Sequence, residues 1–272
     1  MKVNLVIGSE GFIGKPFCSY LEQKGEKVIH FDIKRDPKED GRTHMFDFKG
    51  IDKVYFLAWD VGGSKYLYDA KIQQTQLDWN LQLMTNVFHQ LEKHPKDFLF
   101  VTSQLAEECD TVYGVTKRLG EVWTQLLHGV CVRVWNAYGY MEEDTIKSHV
   151  ISDFIYQALQ TGKIKMLTNG DERRQFTHIS DLSRAFYMSL NSEHLESCIY
   201  DASSYEWVRI IDIANIISEL TGATVVPGAS KGHDPLASPN MGRVHGWLPQ
   251  VTLKDGLAVM IEEAKEIIHG KQ

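Results

Sequence analysis

The sequence predicts an α/β fold, a doubly wound parallel sheet with a smaller C-terminal lobe interleaved with it. Three observations carry this. Short apolar runs near residues 3–7, 27–31, 54–58, 98–101 and 130–135 have the length of buried strands. Stretches of helical spacing lie between them, the alternation that builds parallel sheets. Two of the runs end in glycine loops, and open α/β sheets bind ligands beyond the carboxyl ends of their strands.

The first strand runs into Gly8-Ser9-Glu10-Gly11-Phe12-Ile13-Gly14, a Gly-x-x-Gly-x-x-Gly loop in which a helix opens. Gly8 permits the tight turn, Gly11 lets the backbone approach a pyrophosphate, and Gly14 lets the helix pack on the strand. The helix start offers unpaired N–H groups and a partial positive charge to an anion. The second strand ends at Asp32, the distance at which an acid takes the hydroxyls of an adenosine ribose. This Rossmann-like pattern makes NAD the expected cofactor. NADP is less favoured, because Asp32 would repel a 2′-phosphate, although Lys34 and Arg35 lie close enough to offset part of that.

The remaining elements follow in order. A charged connection from Lys34 to Gly41 reads as loop, and Met45-Phe46-Asp47-Phe48 follows it. The third strand, Val54–Ala58, enters Trp59-Asp60-Val61-Gly62-Gly63. Leu77, Leu81, Met84, Val87, Phe88 and Leu91 stand at helical spacing, so 69–93 reads as one long helix ended by Pro95. Phe98–Val101 is a strand with a polar end, Thr102-Ser103; a helix over 112–127 and a strand over 130–135 come next. Beyond Asn136 the alternation loosens into a helix over 146–160, a strand over 163–167, a helix near 182–190, a strand over 199–201, and helices over 210–220 and 257–268. The expected division is a cofactor domain over 1–138, with returns near 174–204, and a mainly substrate-binding lobe over 139–272. Glycine, serine and proline cluster between Pro227 and Pro239, which reads as a loop over the cleft or a mobile segment.

The chain has 272 residues, enough for one large domain or two lobes. A formal net charge of -7 argues against nucleic acid or an anionic membrane as a partner. No apolar run approaches a membrane span, and the N-terminus enters a strand without a basic leader, so a soluble cytoplasmic protein is expected. Cys18, Cys109, Cys131 and Cys198 lack metal-ligand spacing, so free thiols and no metal are expected.

The chemistry centres on Tyr113 and Lys117, four apart and hence on one helix face. A phenol, with an unperturbed pKa of about 10, is a poor base near neutral pH. An ammonium held beside it favours the phenolate.

With these residues the chain resembles the extended short-chain dehydrogenase/reductase family, the nucleotide-sugar epimerases, dehydratases and reductases. Gly8, Gly11 and Gly14, with Phe12 and Ile13 between them, match its cofactor loop. Asp32 matches its ribose acid, Asp47 and Phe48 the pair flanking adenine, and Leu57-Ala58 its L-A-A loop, with Trp59 in place of a small residue beside the cofactor. Asn80 matches the asparagine of its long helix, and Ser103, Tyr113 and Lys117 its catalytic triad. Arg133-Val134-Trp135-Asn136-Ala137-Tyr138-Gly139 resembles its R-x-x-N-x-Y-G, which implies that Asn136 contacts substrate. The segment from Gly170 to Leu182 resembles the one whose arginine, here Arg174, lies near the substrate diphosphate. Gly246-Trp247-x-Pro249 resembles its late G-W-x-P. A second diphosphate-binding residue is not clearly placed, with Arg243 the candidate and Lys231 and Arg209 its rivals.

Val61-Gly62-Gly63 is similar to a motif of GDP-fucose synthase and GDP-mannose 3,5-epimerase, which implies substrate contact by Val61 and Gly62. Ser148-His149-Val150-Ile151 is similar to the synthase segment that supplies an acid histidine; a solvated histidine is the alternative for His149. Two departures matter. The segment between Ser103 and Tyr113 is short, and Gln104 and Leu105 stand where 4,6-dehydratases carry their acid and base.

The resemblance implies an NAD-dependent epimerase acting on a nucleoside-diphosphate sugar by transient oxidation of a carbinol, with C4 expected. Tyr113 is the acid/base, Lys117 lowers its pKa and holds the nicotinamide ribose, and Ser103 polarises the oxygen. An NAD(P)H-dependent 4-keto-sugar reductase is the alternative. A non-catalytic NAD sensor ranks last, because the whole triad is present. A homodimer is expected through the helices over 69–93 and 112–127, with Leu77, Leu81, Met84 and Trp123 supplying apolar surface.

Overall fold

The first apolar run becomes the middle of the sheet. In chain order the elements are β1 (Val3–Ile7), α1 (Gly14–Gln23), β2 (Lys27–Phe31), β3 (Lys53–Phe56), α2 (Ser64–Leu67), α3 (Ala70–Lys93), β4 (Asp97–Ser103), α4 (Leu105–Glu108), α5 (Val112–Leu126), β5 (Val130–Val134), β6 (Ala137–Tyr138), α6 (Val150–Thr161), β7 (Lys163–Lys165), β8 (Arg173–Arg174), β9 (Thr177–His178), α7 (Ile179–Ser189), β10 (Ile199–Ala202), β11 (Val208–Arg209), α8 (Ile210–Thr221), β12 (Thr224–Val226) and α9 (Leu253–His269). The structure, a computed structural model, describes residues 1–67, 69–139, 149–192, 198–235 and 238–269.

Six strands form one parallel sheet in the order β10-β5-β4-β3-β1-β2. The chain moves outward from β1 to β2, then crosses to β3 on the other side of β1. That reversal opens a crevice at the carboxyl ends of β1 and β3. Successive strand side chains point to opposite faces, so each strand feeds two cores. Leu5, Ile7, Val54, Phe56, Phe98 and Phe100 meet Met84, Val87, Phe88 and Leu91 of α3. Val6, Tyr55, Leu99 and Val132 face Phe17 and Leu21 of α1 and Leu182 and Phe186 of α7. Thus α7 and β10, late in the chain, complete the sheet and its cover. The second lobe is built by α6, α8 and α9, which bury Ile155, Ile213, Ile217, Met260 and Ile261 around Ile164 of β7. Among the described residues, no helix is long and apolar enough to cross a membrane.

Several elements differ from the sequence expectation for local reasons. Residues 140–148, including Ser148, lie outside the described residues, so the helix expected over 146–160 is described from Val150. The helix near 182–190 starts earlier, at Ile179, because the His178 ring caps it by accepting from Ser180 N at 3.3 Å. Likewise α9 begins at Leu253, with Thr252 Oγ1 accepting from Asp255 N at 3.2 Å. The stretch from Pro227 is not loose over the cleft. Gly228 N donates to Thr168 O at 2.8 Å, Asn169 N to Ser230 O at 2.7 Å, and Asp234 pairs with Arg173 at 2.6 Å.

Packing bears on two expectations. Asp47 and Phe48 do not reach the crevice. Ile51 N donates to Phe48 O at 3.2 Å and Asp52 N to Val3 O at 2.9 Å, so this turn sits at the amino ends of β1 and β3, where Phe48 is buried. With no helix between residue 48 and β3, the chain has no length to return to the other end. Of the helix side chains expected at a dimer interface, Met84 belongs to the core and the others are partly covered within the chain. Met84 is 3% exposed, Leu77 and Leu81 are half-buried, and Trp123 packs on Phe88 and His89. The exposed apolar stripe lies elsewhere on α5, formed by Val115, Leu119, Val122 and Leu126.

Candidate active site

Close backbone approach shapes the crevice. Leu57 N and Ala58 N both donate to Ile7 O at 2.8 Å, drawing the end of β3 against the glycine loop. Gly8 has φ +97°, and a Cβ there would overlap Ala58 N, while a Cβ on Gly14 would overlap the Gly8 carbonyl oxygen. At the start of α1 Ile13 makes no side-chain cap, but Lys15 N donates to Gly11 O at 3.1 Å and Pro16 has no N–H, so an anion would meet the backbone of Gly14 and the loop before it. The Asp32 carboxylate accepts from Glu10 N at 2.9 Å and Lys34 N at 2.8 Å, one bond per oxygen, and each oxygen keeps a lone pair. Glycines packed too closely on backbone for any side chain, at the end of β1, and an acid at the end of β2 fit NAD. Gly8, Gly11, Phe12, Ile13, Gly14, Asp32, Leu57 and Ala58 lie in these segments and would hold it.

The candidate catalytic residues lie where β4 hands over to α5. Thr111 caps α5 by accepting from Gly114 N at 3.0 Å, which sets Tyr113 and Lys117 on its first turns. Tyr113 and Ser103 are each 8% exposed, and Ser103 Oγ accepts from Leu105 N at 3.3 Å. Burial pushes the Tyr113 phenol up to about 12, with Ser103 pulling the other way. Lys117 is 2% exposed. Its Nζ donates to Val101 O at 2.6 Å and stands 4.1 Å from the Trp59 ring centroid, 4.7 Å from that of Phe100 and 5.8 Å from that of Tyr113. Burial holds its pKa well below the ordinary lysine value, with Cys131 and Glu121 opposing. Lys117 Nζ thus faces Val101 O and the rings of Trp59, Phe100 and Tyr113, and its action on the Tyr113 phenol stands as an expectation.

Behind the triad lies a polar network that the sequence reading missed. Glu121 is fully buried and receives Arg133 through two bonds of 2.8 and 3.0 Å, Thr102 Oγ1 at 3.0 Å and Arg118 at 2.9 Å. Arg133 also donates to Glu107 at 2.7 Å, and Glu107 accepts from Asn240 Nδ2 at 2.7 Å. Asp201 takes Trp135 Nε1 at 2.9 Å and the N–H groups of Asn240 and Met241 at 2.8 Å. The short segment between Ser103 and Tyr113 is thereby fixed through Glu107. The available signal was spacing: Glu121 stands one turn beyond Lys117, on the face that packs on β4 and β5.

The other candidates are dispersed. The Asp60 backbone is held by Asn80 at 2.8 and 3.2 Å and Gln76 at 3.1 Å, which fixes the loop carrying exposed Val61 and buried Gly62. The His149 ring meets Phe12 edge-on at 5.7 Å, which places it with the phosphate loop. Burial lowers its pKa, with Asp153 opposing. Asn136 Nδ2 donates to Gln175 O at 3.1 Å. Arg174 donates to the carbonyls of Arg173 and His233 at 2.8 and 2.9 Å. Arg243 stacks on Tyr205 at 3.9 Å, Arg209 is paired with Asp212 at 2.7 Å, and Lys231 is exposed. The geometry thus joins Ser103, Tyr113, Lys117 and Trp59 in one cluster and leaves Asp47 and Phe48 outside the site.

Fold and site describe a dinucleotide-binding α/β enzyme with Ser103, Tyr113 and Lys117 as a candidate triad at the carboxyl end of its parallel sheet. The chain matches the NAD dependent epimerase/dehydratase family over residues 4–200 and belongs to it, as an enzyme of the extended short-chain dehydrogenase/reductase type. It is 22% identical to UDP-glucuronic acid decarboxylase 4 of Arabidopsis thaliana, over 98% of this chain and 70% of that protein. It is 21% identical to dTDP-4-dehydro-6-deoxyglucose reductase of Escherichia coli, over 96% of this chain and 97% of that one. The crystal structure of UDP-glucose 4-epimerase from Thermotoga maritima with UDP-glucose superposes with a TM-score of 0.78 at 17% identity, covering 98% of this chain and 99% of that one. These three names carry three reactions. The likeness establishes family and fold, and the choice of reaction falls to the site.

Proposed function

We propose that the protein is an NAD-dependent epimerase of a nucleoside-diphosphate sugar, working by transient oxidation of a carbinol, with C4 of the hexose the expected position. The observation that carries this is the burial of Ser103, Tyr113 and Lys117 together where β4 meets α5, beside a crevice whose phosphate loop and Asp32 suit NAD. NAD, when bound, supplies the oxidising power. Tyr113 Oη takes the carbinol proton, and Ser103 Oγ hydrogen-bonds the oxygen as it becomes a carbonyl oxygen. Lys117 Nζ uses one of its three donors on Val101 O, which leaves two for a nicotinamide ribose. Asn136 and Arg174 bind substrate, Arg174 by pairing with the diphosphate. Elimination is disfavoured. Gln104 is not an acid, and Glu107 is committed to Arg133 and Asn240.

A 4-keto-sugar reductase is the second reading, favoured by the seat of His149 against Phe12. It ranks lower because burial lowers the His149 pKa, so the ring carries less acid near neutral pH. The test is incubation with UDP-, GDP- and dTDP-hexoses and hexuronates at catalytic NAD, following absorbance, sugar stereochemistry and carbon dioxide. Inverted sugar without net NADH is expected, and Tyr113→Phe should lower turnover at least ~100-fold with NAD affinity little changed. Activity confined to 4-keto sugars with stoichiometric NAD(P)H loss, or release of carbon dioxide, would replace the epimerase reading.

A further inference from the structure

The loop after β2 does more than carry Asp32. Arg35 N and Asp36 N donate to the Asp32 carbonyl at 3.0 and 3.2 Å, so the chain turns tightly and brings a basic side chain back beside the ribose acid. In dinucleotide folds an arginine near this acid accommodates a 2′-phosphate. Here that arginine is already engaged. Glu39 accepts from Asp32 N at 2.8 Å, and the same carboxylate receives Arg35 Nε at 3.2 and 3.3 Å and Nη2 at 2.9 Å. The Glu39 side chain is 17% exposed, and its own N–H donates to Asp36 O at 2.8 Å, so the loop folds around the pair. A further acid, Glu10 of the phosphate loop, approaches from the other side, its backbone N–H bonded to Asp32 and its carboxylate 3.5 Å from Lys15.

We propose that Glu39 is a cofactor-selecting residue: by holding Arg35 in a two-pronged ion pair it withdraws the one guanidinium placed to receive a 2′-phosphate, so NADP is rejected by Glu39 as well as by Asp32. A guanidinium fork committed to one carboxylate must give up those bonds before it can take a phosphate. Glu39 is also tied to the Asp32 backbone, so it cannot swing aside without disturbing the acid that serves NAD. This inference rests on the reading of the crevice as the NAD site.

The test is fluorescence titration of the full chain with NADH and NADPH. Glu39→Gln keeps an oxygen for Asp32 N and removes the charge that holds Arg35. It should tighten NADPH binding roughly tenfold and change NADH binding less than about twofold. Arg35→Ala alone should alter neither, and adding it to Glu39→Gln should return NADPH to the wild-type value. Asp32→Asn alone should gain less than about threefold for NADPH, since Glu39 still holds Arg35. Unchanged NADPH affinity in Glu39→Gln with an unchanged melting temperature, a gain that survives loss of Arg35, or a full switch from Asp32→Asn alone would each overturn the proposal. A wild-type chain that binds neither nucleotide would remove the NAD reading itself and this inference with it.

Discussion

Lys117 shows how a single residue trades stability for use. Its ammonium is buried against three rings with one carbonyl oxygen, and burial lowers its pKa. In the unfolded chain the same group titrates at about 10.4. Between the folded and unfolded values the unfolded chain binds more protons, so stability rises with pH across that window and levels off above it. The cost of burying Lys117 is thus fully felt at low pH and disappears as pH passes the unfolded value. Lys117→Met keeps the bulk without the charge. The melting temperature of wild type should climb relative to this variant as pH rises toward about 10.4, at ~2–4 °C per kcal/mol for a chain near this size. A gap that stays constant with pH, measured by thermal denaturation, would show that Lys117 pays nothing for its burial.

The α5 helix carries function on one edge and unspent apolar surface on another. Its inner face sets Tyr113, Lys117 and Glu121 against the sheet, while Val115, Leu119, Val122 and Leu126 are 40–73% exposed in a row at helical spacing. A two-fold pairing of this helix with its copy would cover the row on both chains at once. We expect a dimer by light scattering at micromolar concentration and a monomer for Leu119→Glu, whose charge would fall in the middle of the seam. A wild-type monomer would dismiss the dimer. The sequence showed the helix clearly but did not single out this row. Spacing tells which side chains share a side, whereas which side meets β4 depends on Phe88 and Phe100, contributed by other segments. The same limit explains Phe48. Its motif was legible, but the missing helix before β3, which turns the motif to the wrong end of the sheet, shows only in the connection. By contrast Gly8, Gly14 and Asp32 were legible because each is demanded locally, by a turn, a close approach and a strand end.

At the scale of the molecule, the expected cofactor domain over 1–138 with returns near 174–204 describes a chain that crosses between sheet and lobe repeatedly. Residues 199–202 supply the sheet edge and 179–189 one of its covering helices. A piece ending near residue 138 would leave Val132 of β5 and Phe17 of α1 without Phe186 and Tyr200, and should fail to give a cooperative thermal transition. The bonds of Asn240 carry this further. Its side chain is tied to Glu107, beside the triad, and its backbone to Asp201 at the sheet edge, so one turn of the late chain is riveted to both. Loosening of the second lobe would therefore be felt at Ser103 before the sheet itself gives way. Hydrogen exchange should find residues 105–111 and 240–241 opening together as one unit, and Asn240→Ala should speed exchange in both without changing that of β1. In this enzyme the short catalytic segment would borrow its rigidity from a turn more than a hundred residues away, so a site built early in the chain would stay loose until that turn is in place.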